Sequence, residues 1–496
     1  MKKSAAIHKA LSIFVYMVML TGMVWLLTIV FRYPQNHLIS RQMMLGTAAF
    51  TAILLTVGGL WNKIYTTMGK KTVLYLMALA VFGVLLYITA LSRQGNENTL
   101  VDYTYVYRDA MNLATGGKLE YTDYFVTYSN NLKPMLLLSV WFRVAVLLGI
   151  SAFHFVLLRN VLLVLLVVWA CGYLTERDGD VRWRFPILLA FAFLLPLWEM
   201  VSVFYTDSMS FGLGVLALVA LKKAGRAGEN RSGVLWPVLA GLATVLAITW
   251  KITAIIPLIA GAMIALWKRA KINRRVAGQF VAAVVVFGVG INLWANTYEL
   301  TEKAAVTANP VISWVALGMK EDGSWTNNTE LVEQMYQFST KEEKQQYCVE
   351  YIRENKADFF NVEHLRKKAS YNFANGNLGA SAFLNVEQND QTLLWEMFSP
   401  WGKYYWRTCQ YCFCYLVSFY VLLLLGMIFG LCDTIRDREV PALLMICQLG
   451  FFGIVFFLMF WEASARQLYN QMPGILLGGI LSIDYFWKNL SIKPRK

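Results

Sequence analysis

The sequence TVLYLMALAVFGVLLYITALS at residues 72–92 is followed, at residues 100–134, by LVDYTYVYRDAMNLATGGKLEYTDYFVTYSNNLKP. The first stretch is apolar and about 20 residues long, the length that a helix needs to cross a bilayer. The second is polar and rich in tyrosine, and it contains the carboxylates Asp102, Asp109 and Asp123. If its beginning is helical, Asp102 and Asp109 share one face, and the tyrosines surround the helix as at a membrane interface. The alternative is an ordinary solvated loop.

Apolar stretches like residues 72–92 recur along the whole chain. Of its 496 residues, 57% are hydrophobic and 15% are charged, and this is too few charges for a soluble domain of such size. The sequence therefore predicts an all-α polytopic membrane protein. The candidate spans are residues 8–31, 42–61, 72–92, 153–174, 185–203, 208–223, 234–249, 252–268, 275–297, 411–432, 440–460 and 467–487.

One further apolar stretch, residues 134–150, carries Arg143 near its middle, and an arginine is costly at the centre of a bilayer. If this stretch does not cross, twelve spans remain, and about 24 lysines and arginines fall on the side of the N-terminus against about 4 in the short outer loops. If it did cross, every later loop would change sides and this bias would collapse. We therefore predict a juxtamembrane or re-entrant helix on the outer face, in a multi-pass plasma-membrane protein with both termini cytoplasmic.

This topology divides the chain into four predicted parts. They are an N-terminal two-span extension (1–71), a membrane catalytic module with its first outer loop at 93–152 (72–297), an extracytoplasmic helical segment (298–410), and a C-terminal three-span bundle with a cytoplasmic tail (411–496). The third part is a large hydrophilic insertion, which favours a functional segment over a linker. Its pattern predicts short amphipathic helices at 330–338, 341–355 and 362–373.

Charge and cysteine usage exclude other classes of protein. The formal net charge of +14 does not indicate a partner nucleic acid, because the basic residues cluster in short loops between spans, where they mark topology. The cysteines form no metal-ligand framework, since the close group Cys409, Cys412 and Cys414 has no second pair or nearby histidine. With four histidines in the chain, a histidine-rich metal site is not expected.

Four ionisable residues lie at predicted span ends on the outer face, namely Asp207, Lys251, Glu462 and Arg466. Each has a purely structural interpretation. Asp207, or Thr206 beside it, could cap a helix, and Lys251 could snorkel to the interface. Glu462 and Arg466 could pair with each other at i, i+4 spacing. Together, however, they place two acids and two bases on one side of the membrane.

This combination of charges suits sugar transfer from a lipid phosphate at the membrane surface. A carboxylate must take the proton from the acceptor hydroxyl, and Asp102 or Asp109 fits that role. Cations or a metal must stabilise the phosphate leaving group, and Lys251 and Arg466 fit that role. The residues alone therefore indicate a membrane enzyme that acts on a lipid-borne phosphate.

A series of short motifs carries a family resemblance. In chain order they are Asp102 after a span, AMNLATGG at 110–117, YFVTYSNN at 124–131, Thr206-Asp207 in an outer turn, KITA at 251–254, and Glu462, Arg466, Tyr469 and Pro473 near the last spans. In this order and on this side, the sequence resembles the membrane glycosyltransferases of type C fold. The resemblance is to the group of protein O-mannosyltransferases and lipid A aminoarabinose transferase, which is glycosyltransferase family 39-like.

Two further segments, SWVALGM at 313–319 and KKASYNFANG at 367–376, resemble Gram-positive members of that group. The resemblance covers residues 72 to about 480. Ser129 stands where the family has proline, and the two N-terminal spans are additional to the family pattern.

The resemblance implies an inverting glycosyltransferase, transferring a hexose or pentose from a polyprenyl-phosphate donor to an extracytoplasmic acceptor. The acceptor would be a cell-envelope polymer, a lipid or a protein, and membrane lipids would surround the enzyme. The alternative function is a transporter or flippase of a polyprenyl-linked glycan. A transporter usually places ionisable residues near mid-membrane, with broken helices around them.

The resemblance also assigns roles to individual residues. Asp102 is the expected base, and Asp207 is the second expected catalytic carboxylate. Members of the family differ in metal dependence, so the resemblance leaves two alternatives: a divalent cation, Mg²⁺ or Mn²⁺, held by Asp102 and Asp207 if they approach each other, or no cofactor. The predicted substrate- and phosphate-binding residues are Lys251, Arg466, Glu462, Asp109, Tyr128 and Asn131.

Overall fold

A computed structural model describes residues 2–68, 72–94, 102–176, 180–226, 232–270, 273–384 and 392–491. Within these ranges the chain folds into α-helices and short 3₁₀ helices, without a β-strand. In this part of the chain, nine helices are long and apolar enough to cross a membrane. They are Ala6–Arg32, Ser40–Tyr65, Thr72–Leu91, Ala152–Thr175, Thr206–Arg226, Gly233–Trp250, Arg274–Ala295, Tyr405–Ile435 and Ala442–Phe460.

Three further passages complete the bundle, so that each of the twelve predicted spans corresponds to a helical passage. One is the shorter apolar segment Ile252–Trp267. Another is the last helix, Met472–Ser491. The predicted span 185–203 is not one continuous helix but two, Arg184–Ala192 and Leu195–Met200. The second residue of the latter helix is Pro196, whose ring and missing N–H prevent continuation of the preceding helix.

Contacts between helix ends fix the direction of the passages. Lys9 near the N-terminus pairs with Asp437 after the helix Tyr405–Ile435, with Nζ and Oδ2 2.6 Å apart. Trp61, late in the second helix, donates from Nε1 to the Arg182 carbonyl at 2.6 Å. These contacts lie at one end of the bundle. The other end, called here the polar end, carries the 298–410 segment.

The helix Leu132–Leu147 has both of its ends at the polar end. The residue before it, Asn131, contacts Tyr205. Tyr205 precedes the helix Thr206–Arg226, which starts at the polar end. Beyond its C-terminus, His154 lies 2.9 Å from the side chain of Gln94, which follows the helix Thr72–Leu91. The helix therefore returns to the end from which it starts, as predicted for residues 134–150.

The N-terminal two-span extension packs on the C-terminal part of the chain. The helices Lys2–Arg32 and Ser40–Met68 both contact the long helix Tyr405–Ile435. A Cβ at Gly46 would come within 2.5 Å of the Cys414 Sγ atom, so this glycine permits the close approach of two helices. The extension is thus part of the helix bundle.

The described part of the 298–410 segment is helical, as predicted. Its α-helices are Glu299–Thr307, Ile312–Leu317, Thr329–Met335, Lys341–Glu354, Val362–Phe373 and Leu393–Phe398. The three predicted amphipathic helices are confirmed within a few residues at their ends. Thr340 and Glu343 form a reciprocal capping box that starts one of them. A small apolar core that includes Leu317, Met335 and Cys348 packs the helices Ile312–Leu317, Thr329–Met335 and Lys341–Glu354 together.

Candidate functional site

Five charged side chains converge at the polar end of the bundle. These residues, called here the polar cluster, are Asp102, Asp207, Lys251, Glu462 and Arg466. Their charges act on one another or on the shared neighbour Tyr205. The cluster joins the loop after the third span to three later turns of the chain.

Those three turns have a common backbone design. In each turn, a residue in extended conformation directly precedes a short helix. This short helix leads into a longer one that runs away from the polar end. The extended residues are Tyr205, Lys251 and Ser464. The short helices are Thr206–Met209, Ile252–Ile255 and Ala465–Gln471. At each of the three turns, the sequence has polar residues between two apolar stretches. The extended residue interrupts the helix there and turns the polar side chains toward each other.

Hydrogen bonds hold these turns against one another. Gln471 donates from Nε2 to the Thr253 carbonyl at 2.7 Å. Ser210 donates from Oγ to the Asn470 side-chain oxygen at 3.1 Å. Because these polar groups are buried, their loss would leave unsatisfied partners in the bundle. The turns are therefore fixed in mutual position.

Tyr205 is the centre of the polar cluster, although the sequence did not single it out as a site residue. Its buried Oη lies 3.2 Å from Asp102 Oδ2 and 3.2 Å from Asn131 Oδ1. The Tyr205 hydroxyl has one proton, which it can donate to either of these two oxygens. Burial and the nearby Asp102 carboxylate raise the pKa of Tyr205 well above its usual value, so it stays a neutral donor.

Asn131 and Tyr124 extend this network around Asp102. Asn131 donates from Nδ2 to Tyr124 Oη at 2.6 Å, and this bond orients the amide oxygen toward Tyr205. The charge of Asp102 also acts on the Tyr124 hydroxyl. Asp102, the first residue of the helix Asp102–Ala114, is only partly buried. The Tyr205 hydroxyl thus holds its carboxylate, while the residue stays partly accessible.

Tyr128 connects the first loop to the 298–410 segment. Its hydroxyl bonds that of Tyr336, and its ring centroid lies 5.8 Å from Trp325 and 6.5 Å from Trp314. Burial is the main cause that raises the pKa of Tyr128, with smaller contributions from Asp102 and other acids. Its main contacts anchor one part of the chain to another, beside the polar cluster.

Asp207 and Lys251 form a buried ion pair. The Lys251 ammonium donates to Oδ1 of Asp207, whose side chain is fully buried. This geometry corrects two structural interpretations: no side chain caps the helix Thr206–Met209, and Lys251 points to a carboxylate rather than snorkelling to the interface. Burial lowers the pKa of Lys251, while the adjacent Asp207 raises it. Removal of either partner would leave an uncompensated buried charge, costing about 3–5 kcal/mol.

The guanidinium of Arg466 faces the other charged residues of the polar cluster. Its Cζ lies 5.4 Å from the ring centre of Tyr205 and 5.8 Å from that of Phe383. Within the described ranges it makes no hydrogen bond or ion pair with the protein. Asp102, Asp207 and Glu462 nevertheless act on its charge. Its N–H donors are therefore available to an anion.

The proposed structural pair of Glu462 with Arg466 does not form among the described residues. Residues 462–464 are not helical, and Arg466 lies in a 3₁₀ helix, so the i, i+4 rule does not apply. The backbone N–H of Ala463 instead bonds the Gly323 carbonyl at 2.7 Å. This bond ties the turn to the 298–410 segment.

Lys368, which was not among the predicted site residues, is a charged neighbour of Glu462. Burial raises the pKa of Glu462 to about 7, although Arg466 and Lys251 oppose this shift. Burial lowers the pKa of Lys368 to about 7, and its Nζ donates to the Gly318 carbonyl at 2.6 Å. Both groups thus change charge near neutral pH. The only sequence signal was that Lys368 lies in one of the family-like segments.

Asp109 does not belong to the polar cluster, which corrects its predicted substrate-binding role. Its side chain is fully buried. Its two carboxylate oxygens accept the backbone N–H groups of Glu120 and Tyr121, at 2.8 and 2.9 Å. Gly116, with φ of +82°, permits the turn that brings this segment back. Asp109 therefore fixes the conformation of the first loop.

The expected divalent-cation site does not fit the residues present. The described part of the chain contains no group of three or more histidine, cysteine, aspartate or glutamate side chains that could hold a metal. Asp207 is already neutralised by Lys251, and the Arg466 guanidinium faces both predicted ligands. Mg²⁺ and Mn²⁺ prefer several oxygen ligands and would be repelled by these two cations. No chemical step is therefore assigned to a metal.

The helices and this site define an all-α polytopic membrane protein with a charged cluster at one end of its bundle. The chain belongs to the family described as conserved hypothetical integral membrane protein, whose model matches residues 37–487. Searches of the curated proteins and of the solved structures found no match. The family match includes every residue of the polar cluster.

Proposed function

We propose that this protein is an inverting glycosyltransferase that uses a polyprenyl-phosphate sugar. The observation that carries the proposal is the convergence on Tyr205 of a carboxylate, Asp102, and a guanidinium, Arg466, that has no hydrogen-bond or ion-pair partner in the described part of the chain. Inverting transfer requires a base on the acceptor side and a cation on the phosphate side. The family-like motifs identified in the sequence support the same reaction.

In this proposal, the acceptor hydroxyl gives its proton to Asp102 as its oxygen attacks the anomeric carbon. The bond between that carbon and the phosphate oxygen breaks, and polyprenyl phosphate leaves with the bonding electrons. Arg466 holds the phosphate, because its fork of N–H donors matches phosphate oxygens. Lys251 offsets the buried charge of Asp207 and adds positive potential. Tyr205 keeps the base and the phosphate-binding group in register.

The proposed location is the plasma membrane, with the polar end on the extracytoplasmic face. The lysines and arginines of the short loops support it, because most belong to the other end of the bundle. Both termini are then cytoplasmic. A polyprenyl donor would reach the polar cluster from the outer leaflet, and its acceptor would be a cell-envelope polymer, lipid or protein.

One observation favours the alternative, a transporter or flippase of a polyprenyl-linked glycan. The passage from Arg184 to Met200 is broken near its middle, and broken helices are typical of transporter sites. The five residues of the polar cluster, however, lie together at helix ends rather than around that break. The enzyme is therefore the better supported of the two functions.

The test is release of polyprenyl phosphate and transfer of sugar by the purified full chain in detergent. Polyprenyl-phosphate hexoses and pentoses serve as donors, and isolated cell-envelope glycans, lipids and proteins serve as acceptors. Wild type is expected to cleave one of these donors, and Asp102→Asn to reduce turnover by about 100-fold or more. Asp123→Asn, which changes an exposed carboxylate in the same loop, is the matched control and should turn over normally.

Two results would contradict the proposal. Cleavage of none of the donors by folded wild type would remove the enzymatic function. Protein-dependent translocation of a fluorescent polyprenyl-linked glycan across proteoliposomes, without cleavage, would establish the transporter instead. Normal turnover in a folded Asp102→Asn protein would leave the enzyme in place but assign the base elsewhere.

A further inference from the structure

An open cleft of about 430 Å³ lies beside the polar cluster. Three parts of the chain line it: the loop that joins the first two helices, the loop 321–327, and the helix Val362–Phe373. Its volume falls within the range of about 300–1,000 Å³ that is typical of small-molecule sites. No residue of this cleft was among the predicted site residues.

The wall formed by the N-terminal loop is held in place by specific contacts. Gln35 donates from Nε2 to Ser370 Oγ at 2.5 Å, and Ser370 donates from Oγ to the Tyr33 carbonyl at 2.6 Å. The guanidinium of Arg366 stacks on the ring of Tyr33, with Cζ 3.9 Å from its centre. The loop that joins the two additional N-terminal spans thus forms one side of the cleft.

Tyr371 connects the cleft with the polar cluster. It lines the cleft on the helix Val362–Phe373. The charges of Glu462 and Arg466 also act on its hydroxyl group. The loop 321–327 is also tied to the turn that carries Arg466, because the Gly323 carbonyl accepts the backbone N–H of Ala463 at 2.7 Å. A ligand in the cleft therefore lies near the residues proposed to bind the donor phosphate.

The lining of the cleft has no excess of either charge. Its charged residues are two acids, Glu321 and Asp322, and two bases, Arg366 and Lys367, and Lys367 pairs with Glu321 at 3.1 Å. The other lining groups include amides and hydroxyls, which donate and accept hydrogen bonds without charge. Such a surface favours a neutral ligand with many hydroxyl groups over a polyanion or a polycation.

We propose that this cleft binds the sugar acceptor, a neutral hydroxyl-rich carbohydrate chain, with the N-terminal loop as one wall of its site. This inference rests on the proposed glycosyltransferase function and names the class of its acceptor. A bound chain extends from Gln35 and Asn327 toward Tyr371. Its end presents a hydroxyl to Asp102, across from the phosphate at Arg466.

The experiment measures binding of four probes to the full chain in detergent by saturation-transfer NMR and by competition. Two probes are neutral, cellotetraose and a rhamnose tetramer, one is a glycerol-phosphate tetramer, and one is a serine-rich octapeptide. The variants are Gln35→Ala and Asn327→Ala. Gln346→Ala is the matched control, because Gln346 is an exposed amide elsewhere in the 298–410 segment.

At least one neutral tetrasaccharide is expected to bind, and each cleft variant should weaken it about three- to tenfold, as expected for loss of a neutral hydrogen bond. Gln346→Ala should bind like wild type. Thermal unfolding shows whether each variant is folded, and Tyr371→Phe supplies a second cleft variant if Gln35→Ala is not. Selective binding of the phosphate tetramer or the peptide, or of no probe, would overturn the proposal. So would carbohydrate binding that no cleft variant weakens.

A second measurement separates this inference from the proposed function. With a donor that wild type cleaves, the cleft variants are expected to lower transfer to the oligosaccharide more than they lower hydrolysis of the donor. Equal loss of both activities would overturn the acceptor assignment and leave the enzyme. Absence of donor cleavage in wild type would reject the enzyme, whereas carbohydrate binding in the cleft would then be judged by the NMR result alone.

Discussion

The loss of Arg466 gives the sharpest test of how the polar cluster works. Its guanidinium lies on the rings of Tyr205 and Phe383 and forms no ion pair within the described ranges. Arg466→Ala therefore breaks no salt bridge of the folded protein. The substitution should mainly affect the ligand that the guanidinium awaits, which we propose to be the phosphate of the donor.

The magnitude of each effect follows from these contacts. Two cation–π contacts contribute about 0.5–2 kcal/mol each to the free energy of unfolding. Truncation of one partner in a buried, charged hydrogen-bonded contact with a ligand costs about 2–5 kcal/mol. This corresponds to a fall of about 30-fold to several thousand-fold in kcat/KM for the donor. Arg466→Lys keeps the charge but loses the planar fork, so its value should lie between wild type and alanine.

The assay is release of polyprenyl phosphate as a function of donor concentration, with thermal unfolding of each variant in the same detergent. Arg184→Ala is the matched control. Arg184 also stacks on a tyrosine ring, with Cζ 5.7 Å from that of Tyr75, but it pairs with Glu176 at the other end of the bundle. Its loss should reduce thermal stability and leave donor kinetics of the folded fraction unchanged.

Opposite behaviour of the two arginine variants is therefore the expected result. Unchanged kcat/KM for the donor in folded Arg466→Ala would refute the phosphate role. So would an equal loss of activity in Arg184→Ala, because a general loss of stability would then explain both. Activity of Arg466→Lys equal to wild type would show that only the charge matters and would reject bidentate binding.

Three other predictions concern charge and topology. Lys251→Met should destabilise the fold by about 3–5 kcal/mol, and Lys251→Met with Asp207→Asn should recover part of that loss in thermal unfolding; no recovery would show that the ion pair is not the cause. Donor affinity should fall by up to about tenfold from pH 6 to 8, because Glu462 gains negative charge and Lys368 loses positive charge near pH 7. Glu462→Gln should reduce this pH dependence, and an unchanged pH dependence in that variant would contradict the role of Glu462. A single cysteine at Gly225, in a cysteine-free background, should react only with cytoplasmic reagent; labelling from outside would invert the topology.

The membrane passages could be predicted because they depend on local properties of the sequence. Apolar length and the distribution of lysine and arginine need no knowledge of which helices touch. The same parity argument placed residues 134–150 outside the count of spans, and the observed helix does return to its starting end. The break after Ala192 was missed, since its apolar sequence hides the effect of the proline at residue 196.

The site was predicted less completely, because a side chain's role depends on distant partners. Asp102 and Asp109 looked equivalent on one helix face, but backbone N–H groups of a later loop occupy Asp109. Tyr205 precedes a predicted acid and carried no signal of its own. Lys368 looked like one more basic residue of an amphipathic helix, until burial under Gly318 changed its environment. These differences arise from tertiary packing.

The three turns explain why charged residues can gather here at all. A regular helix that continued through Tyr205, Lys251 or Ser464 would point their neighbours toward lipid or toward successive faces of one helix. An extended residue followed by a short helix instead reverses the chain within a few residues and leaves polar groups inside the bundle. The first two turns supply Asp207 and Lys251, which pair with each other, and the third supplies Glu462 and Arg466 beside Asp102. The recurrence of one backbone design, without a repeated sequence, therefore assembles the polar cluster from separate apolar hairpins.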